Sequence, residues 1–195
     1  GLIQEKSGYA LAHFNLATVY ARDKLFREAA EEYREALRLD PGNEVARLSL
    51  VKTLVDLGEF NEALPLIESY AQNKPGDFEA HYLYGAVCRG VGRYETAEAE
   101  LARAAQMDPN HYDVRYNLGF VLAKEGKNEQ ARTQLEKALE LHPDSSEARY
   151  QLMRVLRVLK ETGAANTELQ QFESAKQRGV NENQAAVQAA NANRY

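Results

Sequence analysis

The chain has 195 residues, of which 44% are hydrophobic and 27% charged, and its formal net charge is −5 at pH 7. This acidic balance repels phosphate backbones, and no cluster of Lys and Arg offsets it, so no nucleic-acid partner is expected. No run approaches the roughly 18 apolar residues of a spanning helix, so no membrane insertion is expected. The single cysteine, Cys88, excludes an intrachain disulfide and a multi-cysteine zinc site.

Residues 1–9 form an N-terminal lead-in that matches no later part of the chain. Ser7 belongs to the residue types that cap helices, which predicts a first helix beginning near Gly8 or Tyr9. The first residue is not methionine, and no basic segment followed by a hydrophobic one is seen at this end. The compartment is therefore left open between the cytoplasm and export after removal of a signal.

From residue 10 onward the chain repeats itself every 34 residues, most visibly at Pro41, Pro75, Pro109 and Pro143. The period divides the chain into the segments 10–43, 44–77, 78–111, 112–145 and 146–179. Each segment has the apolar spacing of two amphipathic helices joined by a short turn. Three aligned columns carry this pattern: Leu16, Leu50, Tyr84, Leu118 and Leu152; Ala29, Ala63, Ala97, Ala131 and Ala165; Tyr33, Ile67, Leu101, Leu135 and Leu169.

Three individual positions give local predictions within the repeats. Pro65 falls near the start of the second helix of segment 44–77, where a missing amide hydrogen is tolerated, so no break is expected. Gly119 lacks a side chain where the paired helices come closest. In the last segment Lys160 replaces the turn glycine, which is displaced to Gly163.

The repeat pattern resembles the tetratricopeptide repeat family. This resemblance implies an all-α protein, a right-handed α-solenoid of about five 34-residue helix–turn–helix repeats over residues 10–179, stabilised by nearest-neighbour interfaces. The family's first Trp is absent, which predicts weaker local packing at the column that replaces it: His13, Arg47, His81, Arg115 and Arg149. Ankyrin repeats are disfavoured because their T-P-L-H signature is missing. RNA-reading pentatricopeptide arrays are disfavoured by the acidic balance.

After Gly179 the composition shifts to Asn, Gln and Ala, in an Ala/Asn/Gln-rich tail over residues 180–195. Asn181 followed by Gln184 resembles a capping pair, and alanine favours helix. A further short helix and a frayed tail are equally compatible with this composition, because an isolated short helix is marginal in water.

No catalytic constellation, cofactor motif or metal-ligand spacing is found, so no enzyme activity and no cofactor are expected. The turn Gly90-Val91-Gly92-Arg93 lacks the third glycine and the preceding strand of a dinucleotide site, and it lacks the Gly-Lys-Ser/Thr of a P-loop. Cys88 occupies an apolar column, which favours a packed thiol over a reactive one.

The family resemblance implies a candidate binding surface, because a second stripe of the first helices lines the concave groove in such repeats. The residues in these columns are Phe14, Asn15, Lys52, Tyr82, Arg89, Tyr116, Asn117, Phe120, Tyr150, Gln151, Arg154 and Arg157. Aromatic rings, Arg and side-chain amides suit recognition of an extended or helical peptide. The same residue types are common in the family's general pattern, so packing is the alternative role of each.

These residues predict a non-catalytic protein–protein interaction scaffold that binds a peptide or protein segment in its groove. The cations among these residues, Lys52, Arg89, Arg154 and Arg157, lie on an otherwise acidic chain and favour a partner segment that is acidic or carries a carboxylate. The family's carboxylate clamp is not predicted, because its first column lacks Lys. Two alternatives remain: a structural spacer that associates with a second copy through exposed helices or the tail, and a regulatory part of a larger enzyme.

Overall fold

The computed structural model describes the backbone of residues 2–192 and the side chains of residues 8–174 and 176–178. Within the described backbone there are ten α-helices and no strand, as predicted. The helices are α1 (Leu2–Arg22), α2 (Phe26–Leu39), α3 (Glu44–Leu57), α4 (Phe60–Asn73), α5 (Phe78–Gly90), α6 (Tyr94–Met107), α7 (Tyr112–Lys124), α8 (Asn128–Leu141), α9 (Ser146–Val158) and α10 (Thr162–Ala192).

The chain divides into two compact units, Gly1–Met107 with α1 to α6 and Asp108–Tyr195 with α7 to α10. Within each unit every helix packs against the next one along the chain. In addition, α3 contacts α5 in the first unit, and α7 contacts α9 in the second. These two pairs of first helices, α3 with α5 and α7 with α9, therefore lie side by side, and the second pair positions the candidate site.

The turn inside each helix pair contains one residue in the left-handed backbone conformation, again at a period of 34. Three of the five are glycines, Gly58, Gly92 and Gly126, with φ of 74°, 80° and 78°. The other two are Lys24 and Lys160, with φ of 60° and 64°. Lys160 thus takes the glycine's conformation itself, at about 1–2 kcal/mol for an L-residue, whereas Gly163 lies within α10.

Side-chain caps begin three of the first helices. Asn43, Asp77 and Ser145 each accept a hydrogen bond from the backbone N–H three residues later, at 3.0, 3.1 and 3.1 Å. Each bond satisfies one of the amides that a helix start leaves without an intrahelical partner.

One boundary prediction is wrong, and neither of the two alternatives left open for the tail is observed within the described residues. α1 begins at Leu2, so Ser7 lies inside the helix rather than at its start; the preceding Leu, Gln, Glu and Lys are good helix formers. No separate helix starts at Asn181, because α10 continues without interruption through Gly179 to Ala192. The alanines that follow offset the roughly 1 kcal/mol that one interior glycine costs relative to alanine. Residues 193–195 of the tail lie outside the described residues.

Pro65 leaves α4 continuous from Phe60 to Asn73, as predicted, but for a different reason from the one expected. It is the sixth residue of the helix rather than a first-turn residue, so the carbonyl of Asn61 loses its intrahelical donor. Because Asn61 is exposed, its carbonyl does not have to be desolvated without a partner.

Gly85 and Gly119 lie where paired helices approach most closely. A Cβ on Gly119 would lie 2.7 Å from Cγ of Leu135, and one on Gly85 would lie 2.6 Å from Cγ of Leu101. Both leucines are fully buried. The prediction for Gly119 is therefore confirmed, since any side chain there displaces a core leucine.

The column that replaces the family's Trp is polar, and its side chains are hydrogen-bonded. His81 contacts Oε2 of Glu100 through Nδ1 at 2.5 Å, and the carbonyl of Pro75 through Nε2 at 2.9 Å. Arg115 repeats this arrangement, donating to the carbonyl of Pro109 at 2.9 Å and to Gln134 at 2.8 Å. Each residue thus ties its own helix to the preceding turn and to the following helix.

Candidate functional site

An open groove of about 90 Å³ lies in the second unit, where α7, the start of α8 and α9 meet. Its wall is formed by apolar residues, cations and side-chain amides: Phe120, Ala123, Lys124, Asn128, Gln151, Arg154, Val155 and Val158. The groove is shallow enough to admit one or two side chains of a partner rather than a complete small molecule.

The helix register explains how these side chains meet. Phe120 and Lys124 are one turn apart on α7, and Arg154 and Val158 are one turn apart on α9, so each pair lies along one helix face. The contact between α7 and α9 brings the two faces together.

The groove combines an apolar surface with two cations. Nζ of Lys124 lies 5.4 Å from the Phe120 ring centroid, and Cζ of Arg154 lies 5.9 Å from that of Tyr150, both cation–π distances. Val158 is 63% exposed and adds aliphatic surface to the groove. Among its lining residues within the described chain there are two cations and no carboxylate.

The corresponding place two repeats earlier is filled. There Phe60 and Gly90 occupy the positions of Asn128 and Val158. The ring of Phe60 lies so close to Gly90 that a Cβ on the glycine would be 2.3 Å from Cγ of Phe60. An aromatic ring therefore occupies in the first unit the space that a short amide leaves open in the second.

Seven of the predicted site residues lie in the second unit, and three of these, Phe120, Gln151 and Arg154, line the groove together. Tyr116 stacks on Tyr112, with ring centroids 6.1 Å apart and an interplanar angle of 11°. The other three are Asn117, Tyr150 and Arg157.

The structure gives these three residues different surroundings. Asn117 is buried and donates to the carbonyl of Asp113 at 2.7 Å. Tyr150 packs against Phe172 at 5.8 Å, and Arg157 is exposed on α9. Asn117 is therefore a buried residue that does not line the groove.

The five other predicted residues lie in the first unit. Half-buried Phe14 packs against Tyr33, 5.8 Å between centroids, and its neighbour Asn15 is exposed. Nζ of Lys52 lies 2.8 Å from Oε1 of Glu79, which joins α3 to α5. Tyr82 stacks on Phe78 at 6.2 Å and Arg89 is half-buried, so the residues of this unit contribute mainly contacts within it.

Sequence reasoning missed five residues of the groove, one of which is Ala123, the small residue that precedes Lys124 on α7. Lys124 and Val158 lie one turn beyond Phe120 and Arg154, so extending the predicted stripe by four residues would have found them. Val155 lies in a packed column, and Asn128 opens α8. Nothing in their spacing distinguishes them from core and turn residues.

Comparison with known proteins decides the family. The family model for the tetratricopeptide repeat matches residues 20–87 and 89–148, more than half of the chain. The chain belongs to the tetratricopeptide repeat family. Solved tetratricopeptide structures have the same fold: a MamA protein shares 20% identity, with a TM-score of 0.72 over 89% of this chain and 94% of its own.

Two further structures agree with this fold. MamA from Desulfovibrio magneticus RS-1, residues 41 to the end, shares 19% identity with a TM-score of 0.76 and covers 87% of this chain and 96% of its own. YrrB, described as a tetratricopeptide protein with an unusual peptide-binding site, shares 22% identity with a TM-score of 0.69, over 89% of this chain and 90% of its own.

One curated relative matches over a shorter stretch. Cellulose synthase operon protein C of Salmonella typhimurium (strain LT2) is 38% identical over 74 residues, which are 38% of this tetratricopeptide chain. The match spans only 6% of that protein's length.

Other parts of the chain offer less chemistry. Among the described residues no group of His, Cys, Asp and Glu is arranged to hold a metal ion, and no described helix has the length and apolarity to cross a membrane. Cys88 is fully buried, as predicted, and burial raises the pKa of its thiol to about 11. The thiolate is thus scarce at neutral pH.

Proposed function

We propose that this tetratricopeptide chain is a non-catalytic interaction scaffold whose second unit binds a short peptide segment of a partner protein. The groove between α7 and α9 is the observation that carries this proposal, because it combines an aromatic wall, exposed aliphatic surface and hydrogen-bonding amides at one place. Such a mixture gives affinity through the apolar groups and orientation through the polar ones.

The charges in the groove favour a particular peptide chemistry. Lys124 and Arg154 flank the apolar wall, so the best ligand carries a carboxylate on either side of an aliphatic residue. The aliphatic residue packs against Phe120 and Val158, and the carboxylates meet the two cations. Because both cations are near the surface, affinity should fall as ionic strength rises.

The test uses two synthetic fluorescent peptides of alternating residues, one of Glu and Leu and one of Lys and Leu. Fluorescence anisotropy should report binding of the Glu/Leu peptide in the micromolar range and no binding of the Lys/Leu peptide. Phe120→Ala with Arg154→Ala should weaken the binding by about tenfold or more, which corresponds to about 1.4 kcal/mol.

The matched control removes two exposed side chains from α8, Glu136→Ala with Glu140→Ala, and should leave both affinity and helicity unchanged. Equal losses in the groove variant and in the control would place the binding surface elsewhere. Equal binding of both peptides would contradict the proposed charge preference.

A further inference from the structure

Each of the two cations of the groove lies over an aromatic ring of its own helix. On α9 Cζ of Arg154 is 5.9 Å from the ring centroid of Tyr150, and on α7 Nζ of Lys124 is 5.4 Å from that of Phe120. In both pairs the ring precedes the cation by four residues, a spacing that puts two side chains on one helix face. Among the described side chains neither of these two cations forms an ion pair. No carboxylate of the described chain therefore neutralises them.

The first unit treats the corresponding positions differently. On α5 the positions of the α9 pair hold Tyr82 and Ala86, so a ring is present there without a cation. On α3 the cation of this face, Lys52, lies with Nζ 2.8 Å from Oε1 of Glu79. A cation over a ring keeps its positive charge for a partner, whereas a carboxylate largely neutralises a cation that it binds.

The ring under Arg154 is in turn in contact with α10. Tyr150 packs against Phe172, with 5.8 Å between the ring centroids and 43° between the ring planes. This is the geometry of a favourable tilted aromatic pair. Phe172 is half-buried, while Tyr150 remains 43% exposed. Phe172, Tyr150 and Arg154 therefore form a series of contacts that runs from α10 to the wall of the groove.

Stacking leaves the guanidinium of Arg154 able to bind a ligand. A guanidinium that lies on a ring uses its flat face, so the N–H groups on its edge are still directed outward and can donate two hydrogen bonds to one carboxylate. A side chain that is already held in place also loses less rotamer freedom when the ligand arrives. Both effects strengthen the binding of a carboxylate more than that of an uncharged amide.

We propose that Tyr150, supported by Phe172, is a positioning residue that holds Arg154 for a carboxylate of the ligand. It thereby sets the preference of the groove for Glu over Gln beside the aliphatic residue. This inference rests on the proposed function, because the ligand is the same acidic and aliphatic peptide. It assigns to Tyr150 and Phe172, neither of which lines the groove, a role in choosing the ligand's charge.

The experiment compares the Glu/Leu peptide with a Gln/Leu peptide of the same length, by fluorescence anisotropy. Tyr150→Leu removes the ring but keeps an apolar side chain beside Phe172. It should weaken binding of the Glu/Leu peptide by about threefold and leave binding of the Gln/Leu peptide unchanged. Tyr150→Phe keeps the face of the ring and should bind both peptides as the wild-type protein does. Circular dichroism checks that each variant retains its helicity.

A double-mutant cycle shows whether Tyr150 acts through Arg154. Once Arg154→Gln is present, adding Tyr150→Leu should cause no further loss of Glu/Leu binding. Phe172→Leu should give a smaller loss of the same kind as Tyr150→Leu. The control Tyr9→Leu removes an exposed tyrosine of α1 in the first unit and should change binding of neither peptide.

The outcomes separate this inference from the proposed function. If Tyr150→Leu weakens both peptides equally, or weakens neither, the positioning role is overturned, while binding of the Glu/Leu peptide by the wild-type protein still supports the groove. Additive losses for Tyr150→Leu and Arg154→Gln also overturn the positioning role. If the wild-type protein binds neither peptide, the proposed function fails, and this inference fails with it.

Discussion

Phe60 and Asn128 occupy the same place in their repeats, at the start of α4 and of α8. The surface beside Phe60 is closed, whereas the surface beside Asn128 is an open groove. The ring of Phe60 lies over Gly90 and fills the space beside α5. Two repeats later, Asn128 and Val158 leave the corresponding space beside α9 open. The comparison teaches that the repeat scaffold is held constant while two side chains decide whether a groove exists.

The largest expected effect comes from converting the second unit to the pattern of the first. Asn128→Phe with Val158→Gly should place an aromatic ring in the groove, because that pair is what fills the corresponding place beside α5. Binding of the Glu/Leu peptide should fall by about a hundredfold, which corresponds to about 2.7 kcal/mol.

Anisotropy and circular dichroism together check this result. The thermal unfolding midpoint should change little, because a buried ring replaces open space. Full binding by a folded double variant would contradict the assignment of the groove.

The next effect concerns a feature that both units have, a glycine where paired helices come into close contact. Gly119→Leu forces a side chain against Leu135 and should lower the free energy of unfolding by about 1–3 kcal/mol. Gly85→Leu, against Leu101, should do the same in the first unit, because the two contacts differ by only 0.1 Å. Urea unfolding monitored by circular dichroism measures both, and an unchanged midpoint for either would show that the helices separate freely there.

A smaller change in stability is expected from the contact between Phe60 and Gly90, which closes the surface of the first unit. Gly90→Ala places a methyl group against the ring of Phe60 and should destabilise the protein by about 1 kcal/mol or more. Phe60→Asn should relieve that strain. The double variant should therefore lose less free energy of unfolding than the sum of the losses of the two single variants. Val158→Ala in the second unit should change stability by less than about 0.5 kcal/mol, because the residue is exposed.

Double-mutant cycles from urea unfolding give the coupling between positions 60 and 90. If the losses in the free energy of unfolding were additive, the position of the Phe60 ring would not depend on the absence of a side chain at Gly90. The closed surface of the first unit would then need another explanation.

The period of 34 was sufficient to predict the helical fold and the close approach at Gly119, because repeated small and apolar columns report helix packing directly. It was not sufficient to predict the groove. The residue that closes the first unit, Phe60, fits an ordinary aromatic column, and its effect depends on Gly90 thirty residues later. Phe120 and Arg154 were found because they hold equivalent positions of the predicted stripe, 34 residues apart, and Gln151 lies beside that stripe on α9.

The hydrogen bonds of the polar column were not predicted, for a related reason. His81 and Arg115 appear from sequence as poor substitutes for Trp, since their partners lie six residues earlier and nineteen residues later. Local spacing does not reveal hydrogen bonds of that range. The start of α1 was misjudged because a capping residue type does not require a cap when good helix formers precede it.

The most direct test of the groove is a backbone NMR titration of the full chain with the Glu/Leu peptide. The largest chemical-shift changes should fall in residues 120–128 and 151–158, around Phe120 and Arg154, and the corresponding residues 52–60 and 83–90 should change little. Comparable changes in both sets, or changes confined to the first unit, would contradict the claim that an open groove in the second unit binds the peptide.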